Sequence, residues 1–151
     1  MMQPVVPADK LAEARALKSP LSDSPQIVEK GKAIYDGKGG CFNCHGADGG
    51  GNGPAAAKMN PAPRNFQHHG FWRHRTEGEI FWVIKHGSPG TAMIGFGPVL
   101  SDEEIWSVRQ ALRSELVEYV RDRSTADRLS RGDSIEYARA AADTFDAGLL
   151  T

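Results

Sequence analysis

The sequence predicts an all-α protein, and three observations lead to this prediction. Apolar residues recur at helical spacing in the segments 25–36, 76–86 and 101–121. No segment alternates apolar and polar residues in the manner of a half-buried strand. Residues that favour the starts and ends of helices stand at the edges of these segments. The 151 residues are 40% hydrophobic and 25% charged, which is ordinary for one globular domain.

The first predicted elements precede the cysteines. Residues 8–18 have a helix-forming composition, and residues 19–25 contain two prolines and indicate a linker. Ser24 is placed to cap a helix over residues 25–36, whose first residue is a proline. The glycines in the segment 37–40 end that helix.

The later elements carry their own start signals. Thr76 begins the predicted helix over residues 76–86 with an imperfect capping box. Ser101 and Glu104 form a stronger box at the start of the helix over residues 101–121. Three consecutive acidic residues there also favour the positive end of the helix dipole.

The strongest chemical signal is the pentapeptide Cys41-Phe42-Asn43-Cys44-His45. Two thiols three positions apart, followed at once by a histidine, are typical of covalent haem attachment. Each thiol can form a thioether with one vinyl group of the haem, and the histidine can supply an axial nitrogen to the iron. The sequence therefore predicts one covalently bound haem.

Three other interpretations of the two cysteines stay open at this point. A structural zinc site needs four ligands, and without a third cysteine it would have to use further histidines. A redox-active dithiol belongs at a strand-to-helix turn, whereas a polar helix and a glycine-rich turn precede Cys41. A plain disulfide between Cys41 and Cys44 is the third interpretation.

An electron-transfer haem needs a second axial ligand, and Met93 is the best candidate. It follows His45 by 48 residues and lies in a glycine-rich loop over residues 87–98, between two predicted helices. A thioether ligand raises the reduction potential relative to a second histidine. For Met59, packing in the core or at the haem edge is the expectation. The remaining candidates for an axial role are the histidines His68, His69, His74 and His86.

Other residues are expected to support the haem. His45 should donate its second ring N–H to an acceptor, and a backbone carbonyl in the loop around Gly53 and Pro54 is expected to accept it. Arg64 and Trp72 carry N–H donors that could reach the haem propionates, although a plain surface role for Arg64 stays open.

These motifs resemble the class I family of small soluble cytochromes c, over roughly residues 25–116. The matching parts are a first helix with Gly31 and Tyr35, the haem motif, the stretches 51–54 and 63–66, the loop 87–93 and the helix start 101–106. The resemblance implies a cytochrome c fold around one haem c bound through Cys41 and Cys44. It also implies His45 and Met93 as iron ligands, with Pro54 and Arg64 beside the haem.

The resemblance further implies that the last helix of the family crosses the first. Gly31 and Tyr35 should then pack against it. The aromatic residue usual one turn along that last helix is replaced by Ala111. We therefore expect Trp106 to make more of the crossing contact.

The predicted domain organisation has three parts. Residues 1–24 form an N-terminal extension, residues 25–123 the cytochrome c domain, and residues 124–151 a C-terminal helical extension. The last part contains a predicted helix over residues 133–147 with an apolar stripe. That stripe is expected to fold back on the domain, and a homodimer or docking to a partner is the alternative.

The resemblance implies an electron carrier rather than an enzyme. Its partners would be a dehydrogenase, a bc1-type complex, or a terminal oxidase or reductase. One alternative is a dedicated subunit of one oxidoreductase. The other is a haem peroxidase or gas sensor, which requires Met93 to leave the iron.

Composition and charge also argue against some classes of protein. The net charge of −1 is too small for a nucleic-acid-binding surface, and no apolar run of about 18 residues is present to span a membrane. Residues 1–7 lack the pattern of a signal peptide. Because covalent haem is normally attached outside the cytoplasm, we expect a periplasmic or otherwise extracytoplasmic protein whose leader is absent from this chain.

Overall fold

The computed structural model of the protein describes residues 6–114, and the side chain of His69 lies outside this described part. The helices are α1 (Leu11–Ala16), α2 (Pro25–Asp36), α3 (Phe42–His45), α4 (His69–Arg73), α5 (Glu77–His86) and α6 (residues 102–114). Two short 3-10 turns cover Ala8–Lys10 and Ala56–Lys58. No strand occurs between residues 6 and 114, and the all-α prediction is confirmed.

Some predicted elements lie outside the described residues, and others differ from the structure. Residues 115–121 of the predicted helix 101–121 lie outside the described residues. The predicted helix 133–147 and the extension 124–151, with its dimer contact, also lie outside them. The helix predicted over residues 8–18 is a 3-10 turn followed by the short α1, and α4 was not predicted.

The predicted helix caps are confirmed. The Ser24 side chain accepts the N–H of Ile27 at the start of α2 (3.3 Å). Thr76 and Glu79 form a complete capping box at the start of α5, where the sequence indicated an imperfect one. At the start of α6, the N–H of Ser101 donates to the carboxylate of Glu104 (3.0 Å), and the N–H of Glu104 donates to the hydroxyl of Ser101 (3.2 Å). These bonds satisfy N–H groups that a helix start otherwise leaves unpaired.

Helices α2 and α6 cross with their backbones in contact. A Cβ atom at Gly31 would lie 1.9 Å from the carbonyl oxygen of Ser107, so only glycine allows this approach. The predicted packing of Gly31 against the last helix is therefore confirmed. Tyr35, one turn further along α2, is buried and donates its hydroxyl to the carbonyl of Gly46 (2.6 Å). That bond ties α2 to the end of the haem motif.

The ring contact of Trp106 is with α5. Its ring stacks on Phe81 of α5, with centroids 4.3 Å apart. Ser107 and Ala111 make the closest contact with α2 instead. Neighbouring residues of a helix point about 100° apart, so Ser107 can contact α2 while the Trp106 ring contacts α5.

The core is formed by residues of α2, α4, α5 and α6 and by Leu100. Its buried apolar side chains are Ile34, Tyr35, Phe71, Trp72, Ile80, Phe81, Ile84, Leu100, Ile105, Trp106, Val108 and Leu112. Each large apolar side chain buried in this way contributes about 1.5–3 kcal/mol to folding. No helix within the described residues has the length and apolarity to cross a bilayer.

Candidate haem site

A cavity of about 470 Å³ opens beside α3. Five of the six predicted site residues line it, namely Cys41, Cys44, His45, Arg64 and Met93. Its volume is in the range of sites that bind a cofactor, and most of its wall is apolar. The fold therefore brings residues together that are up to 52 positions apart in the chain.

The histidine side of the cavity is built from α3 and the residue before it. Cys41 and Cys44 are one helical turn apart, so both free thiols lie on the same side of the turn. The Nδ1–H of His45 donates to the carbonyl of Arg64 (3.1 Å), and the ring stacks on Phe66 with centroids 4.4 Å apart. With Nδ1 as the donor, Nε2 keeps the lone pair that a metal requires.

The prediction of the acceptor for His45 was wrong. The expected carbonyl was in the loop around Gly53 and Pro54, and the observed carbonyl is that of Arg64. That loop donates hydrogen bonds to the backbone of the haem motif, which directs it away from the imidazole. The Phe66 ring lies on His45 and brings the segment 63–66 to its Nδ1.

Pro54 does not line the cavity. It is exposed, and its neighbours bind the outer side of the motif. The N–H of Gly53 donates to Cys44 (3.0 Å) and that of Ala55 to Asn43 (2.8 Å). The glycine-rich loop thus holds the backbone of α3 in place without contributing Pro54 to the wall.

Two pKa shifts show that the histidine side is poorly solvated. Burial raises the pKa of the Cys41 thiol to about 11. Burial also lowers the pKa of His45, and its hydrogen bond to the Arg64 carbonyl partly opposes that effect. The neutral imidazole is therefore favoured, which is the form that binds a metal.

A row of aromatic rings extends from His45 into the core. Phe66 contacts Phe71 edge to face, and Phe71 contacts Trp72 in the same way, with centroids 5.2 and 5.1 Å apart. The Nε1–H of Trp72 donates to the carbonyl of Phe66 (2.8 Å). The proposed role of Trp72 at a propionate was therefore wrong, because its only donor is already used and the ring is buried.

Met93 also lines the cavity, where it is half-buried and held by a tight turn. Its N–H donates to Oγ1 of Thr91 (3.1 Å), and that hydroxyl donates to the carbonyl of Ser88 (2.8 Å). The N–H of Ser88 donates to the carbonyl of Met93 (3.1 Å). The N–H groups of Phe96 and Gly97 bind carbonyls in the last turn of α5 (2.9 and 3.0 Å). These bonds fix the loop to a helix of the core.

Two guanidinium groups belong to the cavity wall. Arg64 was a candidate from the sequence, and Arg75 was missed because no motif marks it. Burial lowers the pKa of Arg75, and the positive charge of Arg64 lowers it further. Arg75 also lies over the ring of Phe71, 4.6 Å from its centroid. Two neighbouring guanidiniums are suited to bind carboxylates.

The alternative ligands receive less support. Met59 lines the cavity, as expected for a packing role, whereas His68, His74 and His86 do not. His68 accepts the N–H of Gly70, and His86 is exposed. Within residues 6–114, no group of three or more histidine, cysteine or acidic side chains is arranged to hold a metal ion. The zinc interpretation has no support in this part of the chain.

A comparison with family models identifies the fold. The family described as cytochrome c oxidase, cbb3-type, subunit III matches residues 26–110. The chain belongs to the c-type cytochromes. This family binds haem c covalently, and the described cavity fits that group: two free thiols, an imidazole and a thioether line one largely apolar space.

Two relatives agree with this assignment. Cytochrome c4 of Thiocapsa roseopersicina is 30% identical over 102 residues, which cover 64% of this chain and 51% of the relative. A chain of the reducing HAO-like protein complex of Kuenenia stuttgartiensis has 27% identity and a TM-score of 0.58, covering 71% of this chain and 54% of that one. This c-type cytochrome thus spans about half the length of each relative.

Proposed function

We propose that this cytochrome is a single-haem carrier of one electron at a time between redox proteins outside the cytoplasm. The observation that supports it most is that His45 and Met93 belong to the wall of one apolar cavity together with both thiols. The domain that carries the haem would span residues 25–123, between the extensions 1–24 and 124–151. The family match over residues 26–110 agrees with that range.

Each residue has a separate task in this proposal. Cys41 and Cys44 would hold the haem through thioethers, and His45 and Met93 would bind its iron. The haem would supply the Fe(III)/Fe(II) couple. With both side chains on the iron, no position would be left for a substrate.

The rest of the wall controls the surroundings of the couple. Arg64 and Arg75 bind the propionates, whose negative charges their guanidiniums neutralise. The Arg64 carbonyl fixes the orientation of His45 and makes its Nε2 a better donor. Apolar wall residues exclude water from the site and favour the less charged form of the couple.

The partners in this proposal are redox proteins: a dehydrogenase, a bc1-type complex, or a terminal oxidase or reductase. A dedicated subunit of one oxidoreductase is the second candidate. It is favoured by the description of the matched family as an oxidase subunit and by the relative solved within a protein complex. The name of the cytochrome c4 relative supports a periplasmic location.

A haem peroxidase or gas sensor is the contrasting function. It needs an open iron position and, for peroxidase chemistry, an acid–base group beside it. His86, the candidate from the sequence, is exposed and is not part of the cavity wall.

The optical spectra of the oxidised and reduced protein test the proposal. We expect low-spin bands and a sulfur-to-iron charge-transfer band in the oxidised wild type, and loss of that band in Met93→Ala. Met59→Ala is the matched control, because Met59 also lines the cavity and should leave the band intact. A high-spin wild type that binds carbon monoxide readily, unchanged by Met93→Ala, would contradict the carrier and favour the sensor.

A further inference from the structure

The N-terminal segment (residues 6–21) precedes the family match but belongs to the haem site. Val6 is 4% exposed and lines the cavity. Ala14 is completely buried, and Leu17 and Leu21 pack against the core. The N–H of Ser19 donates to the carboxylate of Glu77 (3.0 Å). The segment is thus fixed onto α5, the helix that leads into the Met93 loop.

One ion pair joins this segment to the cavity wall. The Nε of Arg15 lies 3.0 Å from Oε1 of Glu79, and the N–H of Thr76 donates to the same carboxylate oxygen (3.3 Å). Glu79 is only 3% exposed, and among the described residues that line the cavity it is the one acidic side chain. The Glu79 carboxylate therefore lies at the cavity proposed to hold the haem and is shielded from water.

A buried charge beside a redox centre changes the potential of that centre. Reduction adds an electron, so a nearby carboxylate opposes it and a nearby guanidinium favours it. Water screens such effects at the surface, and the screening is weak where the charge is buried. Glu79 is buried in the wall, whereas the Arg15 side chain is 52% exposed.

We propose that the Arg15–Glu79 pair sets the reduction potential of the haem, and that the N-terminal segment supplies the positive half of the pair. The inference rests on the proposed haem protein. Glu79 holds the potential down, and Arg15 offsets part of that effect. Both are positioning residues, since neither binds the iron.

The test is the midpoint potential of the haem-loaded full chain and its variants. Glu79→Gln should raise it enough to lower the ratio of oxidised to reduced haem about tenfold at a fixed ambient potential, which is about 59 mV for one electron. Glutamine can replace glutamate in a capping box, so α5 keeps its start. Arg15→Met should lower the potential, and Arg15→Lys should leave it near the wild-type value. Because Arg15 offsets only part of the effect of Glu79, the double variant Arg15→Met/Glu79→Gln should lie between the wild type and Glu79→Gln.

Glu103→Gln is the matched control. Glu103 makes an ion pair with Lys30 at the same 3.0 Å, but its carboxylate is 60% exposed and is not part of the cavity wall. A potential shift in Glu79→Gln no larger than in this control would overturn the inference. A wild type without covalent haem would overturn the proposed function as well, and its spectrum distinguishes the two failures.

Discussion

Two parts of the cavity wall position their candidate ligands in different ways. The histidine wall (residues 41–45, with the segments 51–55 and 63–66 packed on it) carries both thiols and the imidazole within five residues on a single helical turn. The methionine wall (residues 87–97) supplies one candidate ligand from a loop, 48 residues later. Met93 depends on its own turn and on two bonds to α5, whereas His45 is held by backbone bonds, a ring stack and a carbonyl.

This difference indicates how each wall should respond to change. The histidine wall is packed backbone against backbone and has little room for an added atom. The methionine wall has close backbone contacts at Gly87 and Gly95 but is open at Gly90, in the turn before Met93. A hydrogen bond lost from that turn should loosen Met93 without unfolding the domain. The same type of substitution made on each wall can test whether the two walls respond differently.

The largest effect is expected from Gly53→Ala on the histidine wall. The new Cβ atom would lie 2.3 Å from the carbonyl oxygen of Asn43 and 2.5 Å from that of Phe42, and a backbone cannot rotate away as a side chain can. We expect the free energy of unfolding to fall by about 3 kcal/mol, at the upper end of the usual cost of overpacking. Guanidinium unfolding of the haem-loaded protein measures it.

Gly90→Ala is the counterpart on the methionine wall. Gly90 has φ +79°, yet nothing lies within 4 Å of an added Cβ atom, so the cost is only that of the backbone conformation, about 1 kcal/mol. If Gly90→Ala destabilises the protein as much as Gly53→Ala, the contrast between the walls is wrong.

A smaller effect on stability is expected from Thr91→Val. The variant keeps the shape of the side chain but removes the hydroxyl that accepts the Met93 N–H and donates to Ser88. Because two hydrogen bonds are removed, we expect the free energy of unfolding to fall by about 1–2 kcal/mol. Carbon monoxide should bind the reduced protein faster than in the wild type, because Met93 would leave the iron more often. Thr91→Ser retains the hydroxyl and should bind carbon monoxide at the wild-type rate. If Thr91→Ser binds carbon monoxide as fast as Thr91→Val does, this role of the hydroxyl is refuted.

The smallest effect is expected from Glu104→Gln, which lies on neither wall. The hydrogen bond from Lys38 and the N–H of Ser101 lower the pKa of the Glu104 carboxyl in the folded protein. A lowered folded pKa contributes stability above the unfolded pKa, and that contribution is lost as the pH falls through the folded pKa. The variant should therefore be slightly less stable than the wild type at neutral pH and equal to it in acid. Denaturation midpoints at the two pH values measure this, and a difference that persists in acid would contradict it.

The parts of the fold that local sequence encodes could be predicted. The helix caps at Ser24, Thr76 and Ser101 depend on residues three positions apart, and the haem motif on five consecutive residues. The crossing at Gly31 followed from the family resemblance. The caps and the haem motif are each encoded in one short segment, and the crossing belongs to a known family pattern.

The parts that depend on tertiary packing could not be predicted. Arg75 reaches the wall because α4 ends just before it, and Glu79 becomes buried because the N-terminal segment lies on α5. The carbonyl that accepts from His45 belongs to Arg64, because Phe66 brings its segment to the ring. No periodicity or motif in these segments indicates such long-range contacts.

The row of rings from His45 to Trp72 makes the proposed iron ligand part of the hydrophobic core. If the core melts, the stack that orients the imidazole is lost in the same cooperative step. The absorbance of the haem should therefore report on the unfolding of the core. On heating, the absorbance bands of the haem and the tryptophan fluorescence of the protein should change at one common temperature.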